Sequence, residues 1–179
     1  MSKILTTQLN GLLGRIQTSV EEAIEDTARL LAQAAIGQGN IYFACFGEMK
    51  VVEMNALMSE APFVKLVPWT PATKITEADR VCIFTRSAHD AEAISLAKKL
   101  SDQFIPFAVV ASEVGNEENE LSELAYTYIS MKMRGGILPH PTELGQRIVF
   151  PHLIAALYIY EAIKMAYDEM ISDEDELEE

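Results

Sequence analysis

Residues 78–112 read ADRVCIFTRSAHDAEAISLAKKLSDQFIPFAVVAS, and this stretch decides the fold class. Two short apolar runs, Val81–Thr85 and Phe107–Ala111, flank a helical stretch over Ala88–Gln103. Runs so short, with no strict apolar–polar alternation, suit strands covered on both faces. A strand that returns through a helix to a second strand forms a right-handed crossover, and repetition of that unit builds a parallel sheet.

Working outward, the same signature recurs at Ile41–Phe46, Phe63–Val67 and Tyr126–Ile129, with helices expected over Met49–Ser59 and Glu118–Leu124. A long leading helix is expected over about 4–36. There Leu5, Leu9, Leu12, Ile16, Val20, Ile24, Leu31 and Ala34 recur at intervals of three and four, and Gly37 and Gly39 end the pattern. A closing helix is expected from Pro141 or Thr142 to about Ile171, since proline suits a first turn, with Pro151 kinking or dividing it. The expectation is one α/β domain over 1–171: a three-layer α/β/α sandwich around a five-stranded parallel sheet, flavodoxin-like in plan. Ser172–Glu179 (SDEDELEE) reads as a solvated, disordered acidic tail. Open parallel sheets bind ligands beyond the carboxyl ends of their strands, which directs attention to the loops Gly47–Lys50 and Arg86–Asp90.

Composition narrows the function. With 27 acids against 14 bases the net charge is −13, which leaves no basic surplus for nucleic acid or an anionic membrane surface. The chain is long enough for one substantial core. Cys45 and Cys82 sit inside apolar runs and read as buried structural thiols. No signal peptide is legible, and the longest apolar run, around Val149–Tyr160, is too short to span a bilayer. The expected location is cytoplasmic.

The order of elements resembles the SIS (sugar isomerase) domain family, and within it the phosphoheptose isomerases, over nearly the whole chain. Three stretches carry the resemblance. Gly39–Ala61 (GNIYFACFGEMKVVEMNALMSEA) looks like the family's strand, small-residue loop and helix. Ala78–Ser112 is similar to its block of aspartate, strand, Ser-x-Ser-Gly-x-Thr, helix and strand. Gln146–Glu161 (QRIVFPHLIAALYIYE) looks like its closing helix, with a glutamine followed by a histidine. The resemblance implies a homodimer or homotetramer and a pocket for a small sugar phosphate, whose phosphate is gripped by loop hydroxyls and backbone amides. Unpaired N–H groups at a helix start favour an anion there. This chain departs from the pattern: the second loop is Thr85-Arg86-Ser87-Ala88-His89-Asp90 and the first is Phe46-Gly47-Glu48-Met49-Lys50. Glu48 and Asp90 have the wrong sign for phosphate, while Lys50 and Arg86 are cations that can replace lost hydroxyl contacts.

The candidate binding residues are therefore Gly47, Glu48, Lys50, Thr85, Arg86, Ser87, His89 and Asp90. Ser87 and Asp90 also form an S-x-x-D start of a helix, which as a cap needs no ligand. The resemblance implies His152 and Glu60 as the acid–base pair, with Glu53 as fallback for the carboxylate. Histidine suits aldose–ketose isomerisation because it exchanges protons near neutral pH; a hydrogen-bonded histidine on a packed helix is the alternative. No metal site and no cofactor are expected, since His152 lacks a ligand partner at i+4. Two functions follow: a phosphosugar isomerase of the phosphoheptose type, or a non-catalytic SIS module that binds a sugar phosphate and signals through its oligomer.

Overall fold

The computed structural model describes residues 2–177. Its elements are α1 (Ser2–Ile36), β1 (Ile41–Cys45), a 3-10 turn (Gly47–Met49) leading into α2 (Lys50–Met58), β2 (Arg80–Phe84), α3 (Ala91–Asp102), β3 (Phe107–Ala111), α4 (Glu120–Leu124), β4 (Thr127–Ser130), a small hairpin of β5 (Leu138–Pro139) and β6 (Arg147–Ile148), and α5 (His152–Leu177). The main sheet is parallel throughout, in the order β1-β2-β3-β4.

Alternation along the strands divides the core in two, as strand geometry requires. Ile41, Phe43, Cys45, Cys82, Phe84, Ala108 and Val110 face α1, α2 and α5. Tyr42, Ala44, Val81, Ile83, Phe107 and Val109 face α3, α4 and the 67–75 segment. The result is the expected three-layer sandwich. On the first face an aromatic group locks the sheet to α5: Phe43 meets Phe63 edge-on with ring centroids 5.0 Å apart, and Phe63 stacks on Tyr167 at 4.3 Å.

The sheet has four strands, where five were expected. The run Phe63–Val67 does lie beside β1, but it pairs at one position only, the parallel bridge between Ile41 and Leu66. The cause is local. Lys65 adopts a left-handed backbone (φ 66°), which an extended strand does not tolerate, and Pro62 and Pro68 bracket the segment. The vestigial pairing still marks the side of β1 away from β2, so the order in which strands are added to the sheet reverses at β1, with every strand still parallel.

The closing helix also differs. It begins at His152, not near Pro141. Pro151 therefore opens α5 instead of kinking it, and its carbonyl accepts the Ala155 N–H at 3.0 Å. Residues 138–148 form the hairpin, stabilised by Arg147, which donates to the carbonyls of Gly136 (2.6 Å) and Ile137 (3.0 Å). Gly136 faces the backbone of Ile148 so closely that an added Cβ would lie 2.8 Å from its oxygen. The acidic end is helical as far as Leu177; Glu178 and Glu179 lie outside the described residues.

At the amino ends of the strands Asp79, 3% exposed, ties the entry to β2 in place. Its carboxylate accepts from the N–H of Asn40 (2.8 Å), the N–H of Thr76 (2.7 Å) and the Thr76 hydroxyl (2.9 Å). Gly39 is required beside it, because a side chain there would overlap the Ala78 carbonyl.

Candidate functional site

The carboxyl ends of β1 and β2 place the two expected loops side by side. Phe46 N–H donates to the Phe84 carbonyl (2.9 Å), which holds the loops together at their roots. Gly47 turns with φ 57°, and the 3-10 turn then buries Met49 while leaving Glu48 and Lys50 at the surface. Glu48 reaches across to the second loop, where its Oε1 lies 3.2 Å from an Arg86 guanidinium nitrogen. Lys50 forms no ion pair among the described residues.

In the second loop Thr85 is buried and its hydroxyl donates to the Ser87 carbonyl (3.2 Å). Asp90, not Ser87, is the N-cap of α3: its Oδ1 accepts from the N–H groups of Glu92 and Ala93, both at 3.0 Å. The helix therefore starts later than the expected Ala88. Ser87 is left free for another task. Its hydroxyl donates to Glu113 Oε1 (2.8 Å) and accepts from the N–H of His89 (3.1 Å), while the Ala88 N–H donates to Glu113 Oε2 (2.6 Å). The carboxylate of Glu113 thus sits as an internal anion on the loop where an external one was expected. His89 itself is exposed.

Pro151 sets His152 at the start of α5, against this pair of loops. The ring is 5% exposed, and its Nδ1 has no hydrogen-bond partner among the described residues. It stacks on Phe150 with centroids 6.5 Å apart, and the Arg86 guanidinium carbon lies 5.6 Å from the Phe150 centroid. Burial pulls the His152 pKa below its ordinary 6.5 and the Arg86 cation pulls the same way, while the Phe150 backbone and the carboxylates of Glu48 and Glu113 oppose them. His152, Arg86, Glu48, Phe150 and Glu113 are accordingly one neighbourhood.

Glu60 is elsewhere. It lies just past the far end of α2, exposed, and the nine helical residues before it carry the chain about 13 Å from the loop. Glu53 has a structural task, its Oε1 accepting the Trp69 N–H at 2.8 Å. Neither carboxylate is hydrogen-bonded to His152 among the described residues or is among the charges that shift its pKa. Glu113 was not anticipated from the sequence; the available signal was its place just beyond the carboxyl end of a parallel strand, the edge at which the other two loops were sought.

Beside this neighbourhood a cleft of about 780 Å³ runs between α1 and the ends of β3 and β4, with His89, Ser112 and Glu113 on its near wall. Its other lining includes Thr18 and Ser19 of α1, and Asn116 and Asn119. No cluster of three or more metal-ligating side chains occurs among the described residues, and no helix there is long and apolar enough to cross a membrane.

A four-stranded parallel sheet flanked by helices on both faces, with the site at its carboxyl edge, is an SIS-like fold, and the solved structures it resembles are of that kind. Phosphoheptose isomerase GmhA from Neisseria gonorrhoeae superposes with a TM-score of 0.67 at 12% identity, covering 94% of this chain and 96% of that one. The sugar isomerase domain of the RpiR transcription factor from Sphaerobacter thermophilus gives 0.64 at 11% identity, covering 93% and 88%. In sequence the chain belongs to the family described as "Domain of unknown function (DUF2529)", whose model matches residues 1–171. It is 37% identical over 175 residues to the uncharacterized protein YwjG of Bacillus subtilis (strain 168), covering 97% of this chain and 99% of that protein.

Proposed function

We propose that this chain is an SIS-type module that binds a small phosphorylated sugar at the carboxyl edge of its sheet. The observation that carries the reading is the chemistry of the cleft wall. The hydroxyls of Thr18, Ser19 and Ser112 spend their protons on backbone carbonyls, so their oxygens present free lone pairs to the cleft. Glu113 adds carboxylate lone pairs beyond the two that Ser87 and Ala88 engage. A wall of acceptors suits a ligand with many hydroxyl donors. The test is thermal unfolding with a panel of sugar phosphates. A ligand at a hundred times its dissociation constant stabilises by about 2.7 kcal/mol, and no shift with any member rejects the reading.

One observation favours catalysis as a second reading: the buried, unpartnered Nδ1 of His152 beside Arg86 and Glu48. A histidine kept neutral by burial is a competent base for moving the proton next to a sugar carbonyl. In the phosphoheptose-type scheme Glu60 would supply the second carboxylate from a second copy of the chain. The exposed apolar side chains Val51, Met54 and Met58 of α2, Ile154 of α5, and Phe150 just before α5 support such a homo-oligomer. Conversion of sedoheptulose 7-phosphate by the wild type, lost in His152→Gln, is the expected result; turnover unchanged by that substitution removes His152 from the mechanism.

A further inference from the structure

We infer that the ligand's anionic group is held not by the loop after β2 but across the cleft, by a cation cluster of Arg15, Lys132 and Arg134, which takes a phosphate monoester or a comparable oxyanion. For the identity of the ligand this rests on the sugar-phosphate reading; for the anion it stands on three observations.

The first is that the loop after β2 commits to the chain's own carboxylates and hydroxyl the donors that lead into α3. The Ser87 hydroxyl and Ala88 N–H are taken by Glu113, the His89 N–H by Ser87, and the N–H groups of Glu92 and Ala93 by Asp90. An incoming dianion there would meet two carboxylates and no free donor among these groups, so it is repelled where a neutral loop would attract it.

The second is the opposite state of the far wall. Arg15 from α1 and Lys132 and Arg134 from the segment after β4 line the same cleft and also the smaller hollow that continues from it. Among the described residues the ion pairs engage Arg29, Arg86, Lys98 and Lys164, and none engages these three. In a chain of net charge −13, three cations from two elements converging without carboxylate partners is an unsatisfied arrangement, and like charges so placed favour an anion between them. Of the acids of the cleft, Glu113 is hydrogen-bonded to Ser87 and Ala88, and among the described residues neither it nor Glu118 forms an ion pair with the three cations.

The third is that this wall is built, not merely decorated. Lys132 holds a left-handed backbone (φ 55°), an unfavourable state for a residue with a side chain. Its N–H donates to the Ser130 hydroxyl (3.0 Å), which donates in turn to the Ser112 carbonyl (3.1 Å). Arg147 fastens the following residues through the carbonyls of Gly136 and Ile137. The guanidinium of Arg134 and the ammonium of Lys132 are thus carried on a backbone held at both ends. Arginine can grip a phosphate with two parallel N–H bonds, and lysine adds a point charge.

The experiment uses the whole chain and two probes. Inorganic phosphate, titrated calorimetrically, is expected to bind the wild type saturably. Affinity should fall about tenfold or more in Arg15→Ala and in Arg134→Ala, the loss typical of one charge-assisted contact. Both side chains are exposed, so folding is checked by an unchanged far-UV spectrum, and Arg29→Ala, which removes an exposed cation elsewhere, should bind as the wild type does. Absence of saturable phosphate binding overturns the inference, as does binding that both Arg variants retain while Ser87→Ala loses it. The sugar-phosphate panel on the wild type is the second probe. A sugar phosphate that binds irrespective of Arg15 and Arg134 leaves the functional reading standing and removes this inference; inorganic phosphate held by these residues with no sugar phosphate bound does the reverse.

Discussion

Two carboxylates in this molecule do the same chemical work at opposite ends of the sheet. Asp79, at the amino end of β2, and Glu113, just beyond the carboxyl end of β3, each accept hydrogen bonds from a backbone N–H and a hydroxyl. Asp79 is sealed, at 3% exposure, between chain segments so close that Gly39 admits no side chain. Glu113 is half-buried and opens onto a cleft. The sealed carboxylate can be replaced by nothing, whereas the open one holds a place that solvent, ions or a ligand can contest. The same hydrogen-bond pattern is structural at one end and selective at the other, and access alone makes the difference.

The comparison breaks most sharply at Asp79. Asp79→Ala leaves two N–H groups and a hydroxyl without their buried partner, and chemical denaturation should show a loss of about 3 kcal/mol or more, a difference from the wild type that is the same with and without phosphate. Glu113→Ala should cost less, about 1–2 kcal/mol, because water can reach the freed donors. Added phosphate should restore part of that loss, the loop having become an anion site; a loss that phosphate leaves untouched would make Glu113 as structural as Asp79. Asp90→Ala removes only a helix cap and should cost about 1 kcal/mol in the same assay.

The smallest effect is electrostatic and concerns the neighbour of Glu113. The folded-state pKa of His152 lies below its unfolded value of 6.5, so the unfolded chain binds this proton more readily. The contribution to stability is complete above about pH 6.5 and is lost as pH falls through the lower folded-state value. Denaturation midpoints measured between pH 7.5 and pH 5 should therefore decline more in the wild type than in His152→Gln. Equal slopes would show that the ring does not titrate in this way. Arg86→Met, which removes the second cause of the depression, should bring the wild-type decline closer to that of the variant.

Much of the scaffold was legible in the sequence. The runs at 41, 81, 107 and 126 became β1 to β4 nearly residue for residue, because burial on both faces leaves an unmistakable apolar signature. The run at Phe63–Val67 carries that signature too and failed as a strand, since the left-handed Lys65 is a backbone state that side-chain patterning does not encode. Pro151 was a true punctuation mark read in the wrong sense: proline opens a helix as readily as it bends one, and only the hairpin before it, held by Arg147, distinguishes the two. The site was less legible. Glu48, Arg86, Ser87 and His152 come together as their positions at strand and helix ends imply, but Glu113 is a single acid in a polar loop. Its role follows from a contact 25 residues away in sequence, with Ala88, which no local motif announces.

The pairing of α1 with α5 has a consequence for the order in which the protein comes into being. The two helices, first and last among the described residues, share one core with the sheet: Ile16, Val20 and Leu31 of α1 pack in the same cluster as Ala156, Ile159 and Tyr160 of α5. During synthesis α1 leaves the ribosome with its apolar stripe uncovered and waits for nearly the whole chain before α5 can cover it. His152 arrives on that same late helix. Completion of the core and assembly of the site are then a single event, so a chain that stops short of α5 has neither.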